Sequence, residues 1–206
     1  MRDSDPSTHG RILDAAKAVS ACFASAGYDM IDTPLLEETE LFVRKSGGEL
    51  TSRLYSFTDP GGNRVSLRPE FTSSVIRFFV QQQASLSVPA RLQYSGPVFR
   101  YEPGAGEGFR QFTQVGVELV GAGGVDADAE IISLAWEGLD QAGLEHRLVR
   151  IGHLGVLRSV LDSHGLSEPA SQFIISNIQA LKSGGEGFLD LMAKAERVGL
   201  LGTSLD

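Results

Sequence analysis

The sequence predicts an α+β fold, an antiparallel sheet flanked by helices. Three observations predict it. Two strand-like runs, Leu92 to Tyr101 and Phe109 to Leu119, face each other across the glycine-rich loop "EPGAGEG". A second hairpin is marked by "DPGGNR", Asp59 to Arg64, between "RLYSFT" and "VSLR". Around them lie stretches with apolar residues at helical spacing.

In chain order, residues 1–9 read as a polar lead-in. From Gly10 to Ala26, Ile12, Leu13, Ala16, Val19, Ala21 and Phe23 predict an amphipathic helix that Gly27 stops. Tyr28, Met30 and Asp32 alternate as a short strand does, and Pro34 ends it. After the Asp59–Arg64 turn, "RPEFTSSVIRFFVQQQ" predicts a helix from near Pro69, with Glu70 at the positive end of its dipole. Phe71, Val75, Phe78 and Phe79 form its apolar stripe. "DADAEIISLAWEGLDQAGL" predicts a helix with Ile131, Leu134, Ala135 and Leu139 on one side. "HRLVRIGHLGVLRSVLDSHGL" reads as strand, turn and helix. Beyond Pro169, short helices broken at Gly184, Gly185 and Gly187 are expected.

Length and composition fit a soluble globular protein: 206 residues, 42% hydrophobic and 21% charged. The net charge of −8 gives no general attraction for nucleic acid. Cys22 is the single cysteine, so neither an intrachain disulfide nor a cysteine-based zinc site is expected, and it reads as an inert buried thiol. No metal site is expected; His153 and His164 read as structural or surface residues, and Trp136 as helix packing. No stretch approaches a membrane span, and the expected location is cytoplasmic.

The second hairpin strand carries the chemistry. Residues two apart share a face. Arg110, Phe112, Gln114, Gly116 and Glu118 point one way; Gln111, Thr113, Val115, Val117 and Leu119 point the other. The bare backbone at Gly116 is expected to leave room above the sheet, within reach of Gln114 and Glu118. Gly96, Val98 and Arg100 share a face of the first strand, so pairing of the strands brings Arg100 toward the same space. Spacing alone leaves open a plain hairpin with its polar side in water. "GAGEG" is no dinucleotide or P-loop fingerprint, because no helix follows and Glu107 would repel a phosphate.

Three stretches together resemble the histidyl-tRNA synthetase family, a class II aminoacyl-tRNA synthetase fold. "GYDMIDTPLLEETELF" resembles its first motif, "DPGGNRVSLRPEFT" its turn and substrate segment, and "FRYEPGAGEGFRQFTQVGVELVG" its second motif. The resemblance implies a class II synthetase-like core over residues 10–168 and a fold incomplete at its C-terminus; the helical segment 169–206 matches the family poorly. It implies that Glu70 and Thr72 hold the amino group of histidine, Gln114 contacts the same ligand, and Glu118 reads the imidazole. Arg100 then faces the α-phosphate of ATP as the catalytic cation, and Glu102 lies on the adenine side. Arg110 positions the loop or pairs with Glu102.

Departures from the family pattern separate its branches. Pro103 and Gly108 stand where arginines clamp ATP phosphates, Phe71 replaces a glycine, and Thr113 replaces a histidine. A third motif, a histidine-specific catalytic arginine and an anticodon-binding domain are missing, which implies that this chain alone is inactive. These features resemble the family's non-catalytic relative, the regulatory subunit of ATP phosphoribosyltransferase, whereas Glu70 is closer to the ligase pattern. The first expectation is therefore a histidine-sensing regulatory subunit partnered by the phosphoribosyltransferase catalytic chain, without cofactor. The alternative is a piece of a histidine–tRNA ligase using ATP with Mg2+ and tRNA(His). A diverged class II core with another amino acid is a third reading. The first motif implies a homodimer.

Overall fold

The computed structural model describes residues 3–44, 52–82, 84–101, 110–183 and 185–200. Contacts divide the chain into two units, 1–148 and 149–206.

The first unit opens with α1 (Pro6–Ser25). It starts ahead of the expected Gly10. The Asp5 carboxylate accepts from the Thr8 amide at 3.0 Å and from its hydroxyl at 2.8 Å, and Pro6 takes the first turn. Asp5 therefore sits below the usual carboxylate range, held there mainly by the Thr8 amide. Gly27, at φ 84°, ends the helix as expected.

One sheet has the order β1–β5–β6. β5 (Ala90–Phe99) and β6 (Gln111–Val120) are antiparallel, with Leu92 opposite Glu118, Tyr94 opposite Gly116, Gly96 opposite Gln114 and Val98 opposite Phe112. The short β1 (Asp29–Met30) runs parallel to β5, so the sheet is not wholly antiparallel as expected. The second sheet is antiparallel, with β4 (Arg64–Leu67) between β2 (Leu36–Glu38) and β3 (Ser56–Thr58). The turn between β3 and β4 is tied by Asp59, whose carboxylate accepts from the Asn63 amide at 2.8 Å, with Gly62 at φ 85°. Residues 39–44 are helical.

Both faces of the β5–β6 hairpin are covered. The even-numbered face packs on α2 (Thr72–Gln81), where Leu92, Tyr94 and Val98 are buried with Phe71, Val75 and Phe79. On the odd-numbered face Val115 and Val117 pack against Phe23 and Val19 of α1 and Leu134 and Ile131 of α3 (Val125–Gln141). The water-facing hairpin that spacing left open is thus overturned for Gln114 and Glu118, which are half-buried, whereas Gln111 and Thr113 stay exposed. α2 begins at Thr72 rather than near Pro69, with Phe71 as its N-cap residue.

In the second unit, residues 149–153 form no strand, contrary to expectation. No described strand pairs with them, and Ile151 is 76% exposed; a strand without a hydrogen-bonding neighbour has nothing to hold it. Four helices follow: α4 (Leu154–Ser163), α5 (Glu168–Ser176), α6 (Ile178–Ser183) and α7 (Gly185–Arg197). Gly187 lies inside α7 and does not break it. Ser167 caps α5, accepting from the Ala170 amide at 3.4 Å.

Candidate functional site

The site lies where the first turn of α2 meets the C-terminal part of β6. Thr72, the first residue of α2, donates its hydroxyl to Glu118 Oε1 at 2.6 Å. Glu70 stands just before the helix, and its carboxylate accepts from the Ser73 amide at 3.1 and 3.3 Å. Glu70 therefore does partner the positive helix end, without lying in the helix itself. Tyr94 lies over Gly116 and feels both carboxylates. Burial pushes its phenol well above the usual tyrosine range, and the charges of Glu118 and Glu70 push it further. The structure brings Thr72 and Glu118 into contact and puts Glu70 one turn away, just before the same helix.

The expected vacancy above Gly116 is not there. A Cβ on Gly116 would lie 2.6 Å from Tyr94 Cζ, so the tyrosine ring occupies that space. The strand pairing explains this, because Tyr94 is directly opposite Gly116 and leans across it.

Gln114 lies one pleat further along the same face. Its Oε1 is buried and has no hydrogen-bond partner among the described residues. A buried acceptor on the face that also carries Glu118 is suited to take a bond from a ligand's donor. Arg100 extends the ladder past the end of β5, its amide donating to the Arg110 carbonyl at 3.0 Å. Its Nε donates to the Pro69 carbonyl at 2.8 Å, and the guanidinium lies 5.1 Å from the Phe112 ring. Its terminal nitrogens bond no described residue, which suits a cation kept for an anionic group. Glu102, Pro103 and Gly108 lie outside the described residues, and so does any Arg110–Glu102 pair. Arg110 itself lies 5.6 Å from the Tyr101 ring.

The histidyl-tRNA synthetase family profile matches residues 1–195. The chain belongs to the histidyl-tRNA synthetase family. It is 47% identical over 147 residues to the histidine–tRNA ligase of Methanocaldococcus jannaschii, covering 71% of this chain and 35% of that protein. With the Methanococcus vannielii histidine–tRNA ligase it shares 38% over 181 residues, covering 87% and 42%. The chain therefore spans less than half the length of these relatives. Among solved structures, one described as an ATP phosphoribosyltransferase regulatory subunit/histidyl-tRNA synthetase from Bacillus halodurans C matches with TM-score 0.64 and 33% identity, covering 71% of this chain and 38% of the other. The Alicyclobacillus acidocaldarius histidine–tRNA ligase subunit matches 99% of this chain and 57% of its own length with TM-score 0.74; at 24% identity this speaks to the fold, which is the class II synthetase-like one expected.

Arg68 and Tyr94 escaped the sequence reading of the site. Arg68 is 2% exposed and donates to the Thr33 carbonyl at 2.6 Å and the Pro97 carbonyl at 2.9 Å. Desolvation lowers its pKa, opposed by Asp32 and Glu37. Phe71 was noted only as an aromatic beside the histidine contacts; it is fully buried beneath Arg68 and stacks on Tyr94. Gly96 was the available signal, since a Cβ there would meet Arg68 Nη2 at 2.6 Å.

On the opposite face, Arg91 grips Glu130 with two bonds of 2.8 and 2.9 Å, and the Tyr28 hydroxyl adds a third at 2.7 Å. Cys22 is only half-buried, though burial still pushes its thiol up. Trp136 is 40% exposed rather than packed away, with the Arg147 guanidinium 4.3 Å from its ring. His153 caps α4, accepting from the Val156 amide at 3.3 Å. Among the described residues no cluster of His, Cys, Asp or Glu is placed to hold a metal, and no helix is long and apolar enough to cross a membrane.

Proposed function

We propose that this chain is the histidine-binding core of a histidine–tRNA ligase. The observation that carries this reading is the meeting of Thr72 and Glu118 beside Glu70, with the Gln114 oxygen left open on the same face. A carboxylate pointing at an imidazole accepts its N–H and favours a donor-bearing ring. Glu70 offers the matching charge for an α-amino group, with Thr72 and Gln114 alongside. A pocket built on hydrogen bonds rejects side chains that lack them far better than a purely apolar one does.

Arg100 fits the α-phosphate of ATP, since its terminal nitrogens bond no described residue and stand on the same face as Gln114. There a fixed guanidinium would stabilise charge as the carboxylate of histidine attacks the phosphate and pyrophosphate leaves. When bound, ATP with Mg2+ supplies the activated phosphoryl group. Glu102 belongs to the adenine side of this proposal. The tRNA(His) partner and a cytoplasmic site of action follow from the same reading. A homodimer through the first-motif segment is supported by the exposed Leu35 and Leu36 there, and a monomer by light scattering at micromolar concentration would count against it.

The second reading is a histidine-sensing regulatory subunit of ATP phosphoribosyltransferase. The likeness to the Bacillus halodurans protein and the bulky Phe71 favour it. Histidine-dependent ATP–pyrophosphate exchange by the complete gene product separates the two. Exchange supports the ligase; no exchange, with histidine-sensitive stimulation of a phosphoribosyltransferase, supports the regulator. Failure to bind histidine at all would defeat both.

A further inference from the structure

Helix α3 is apolar on two opposite faces. One face is covered: Ile131 and Leu134 pack with Val19 and Phe23 of α1 and with Val115 and Val117 of β6. Gly138 is bare where α1 comes close, since a Cβ there would lie 3.2 Å from a Val19 methyl. The opposite face carries Val125, Ala129, Ile132, Trp136 and Leu139, and all five are exposed. Their spacing runs four, three, four, three. At 3.6 residues per turn that draws a stripe along the helix, half a circle from the buried side. Single exposed apolar residues are ordinary on a protein surface. Five in this register, with a tryptophan among them, make the seam that one helix offers another.

The rim of the stripe is acidic, and α3 contains no lysine or arginine. Asp128 borders the stripe on one side and Asp126, Glu137 and Asp140 on the other, all exposed. Pairing of α3 with its own copy would set carboxylates against carboxylates. Nucleic acid and anionic lipid are repelled for the same reason. The molecule itself shows what the rim accepts. The Arg147 guanidinium lies 4.3 Å from the centre of the Trp136 ring and pairs with Asp140. A cation over tryptophan with a carboxylate beside it gains from both. Asp126, Asp128 and Glu137 form no ion pair among the described residues.

We propose that the outer stripe of α3 docks an amphipathic helix of a partner protein, one whose apolar seam is flanked by lysine and arginine. The stripe supplies the binding, and the acidic rim selects the partner and fixes its register. The proposal stands apart from the histidine reading.

Trp136 is the single tryptophan of the chain, so its emission reports on the stripe directly. This chain is titrated with two helix-stabilised synthetic peptides of 17 residues, the length of α3. Both carry leucine at the four–three spacing; one has lysine at the flanking positions and the other glutamate. The expected result is a saturable blue shift with the lysine peptide, which binds at least about tenfold tighter than the glutamate peptide, by a margin that shrinks as salt is raised. Ile132→Ser should weaken the lysine peptide about tenfold with the urea midpoint unchanged. Asp128→Lys with Glu137→Lys should reverse the preference between the peptides. Absence of binding, equal binding of the two peptides, or a preference that the charge reversal leaves untouched overturns the proposal. Should the charge-reversed chain fail to fold, Ile132→Ser decides, and undiminished binding to it overturns the proposal. A blue shift that grows with protein concentration alone makes the stripe an interface between copies and overturns it too. So does calorimetric binding of the lysine peptide by this chain but not by the complete gene product, because the rest of the polypeptide then covers the stripe.

Discussion

The Thr72 hydroxyl donates to Glu118 across 2.6 Å, and that bond joins the first turn of α2 to the C-terminal part of β6. The residues are 46 positions apart, so their meeting is a product of tertiary packing. It leaves Glu118 Oε2 without a bond to any described residue on a face roofed by α2. The site therefore combines a fixed acceptor with a free one. That is what recognition of an N–H-bearing ring needs.

Glu118→Gln should abolish most histidine affinity. The glutamine can still accept from Thr72 through its oxygen, which turns its NH2 toward the imidazole N–H, donor against donor. Loss of a charge-assisted bond and its replacement by a clash should cost tenfold to about a hundredfold in Kd. Calorimetric titration with histidine reads this directly. Equal affinity for the two proteins would remove Glu118 from the site.

Gly96→Ala should destabilise the fold by about 1–3 kcal/mol through overpacking. Its Cβ would stand 2.6 Å from Arg68 Nη2 and 3.1 Å from Phe71 Cζ. The guanidinium cannot yield without losing its carbonyl partners. Gly10→Ala is the matched control. Nothing lies within 4 Å of that Cβ and the residue is inside α1, so alanine should stabilise by about 0.5–1 kcal/mol. Urea unfolding of both variants measures the contrast.

The difference between these glycines marks what the sequence could and could not say. Period-two alternation put Gln114, Gly116 and Glu118 on one face, and the register agrees, because strand geometry leaves no other choice. The same reasoning could not tell that Gly116 is bare to admit Tyr94, since that depends on which residue lies across the strand pair. Arg68 was equally hidden: an arginine at the end of a strand looks solvated until the carbonyls of Thr33 and Pro97 are found around it. The early start of α1 was legible in Asp5 and Pro6, a cap signal outweighed by the weak hydrophobic periodicity before Gly10. The unpaired residues 149–153 failed as a strand because alternation describes a face and supplies no neighbour.

Arg68→Leu should be among the most damaging single substitutions in the first unit. It strips a buried carbonyl, Thr33, and a half-buried one, Pro97, of their donor and uncovers the face of Phe71. A loss of about 3–5 kcal/mol is expected, the range for breaking a buried charged network from one side. Arg68→Lys should recover little, because an ammonium cannot span both carbonyls and lie flat on the ring. The urea midpoints of the two variants check this; a near-native lysine variant would mean that charge alone matters.

The Arg91–Glu130–Tyr28 cluster sets a pH window for stability. Bonds from Arg91, then from Tyr28, hold the Glu130 carboxyl down at about 2, from an ordinary value of 4.5. A depressed carboxyl stabilises the fold above its unfolded value, and that contribution fades as pH falls from about 4.5 through about 2. Burial, then the bond to Glu130, pushes the Tyr28 phenol up to about 12 from 10.0. A raised phenol stabilises below its unfolded value, and its contribution fades as pH rises from 10.0 through about 12. Glu130→Gln should therefore lower Tm at neutral pH, and the gap to the unsubstituted chain should close as the pH approaches 2. Thermal unfolding followed across that range by circular dichroism reads the gap. A difference in Tm that stays constant down to acid would mean that Glu130 contributes by packing and not by its charge.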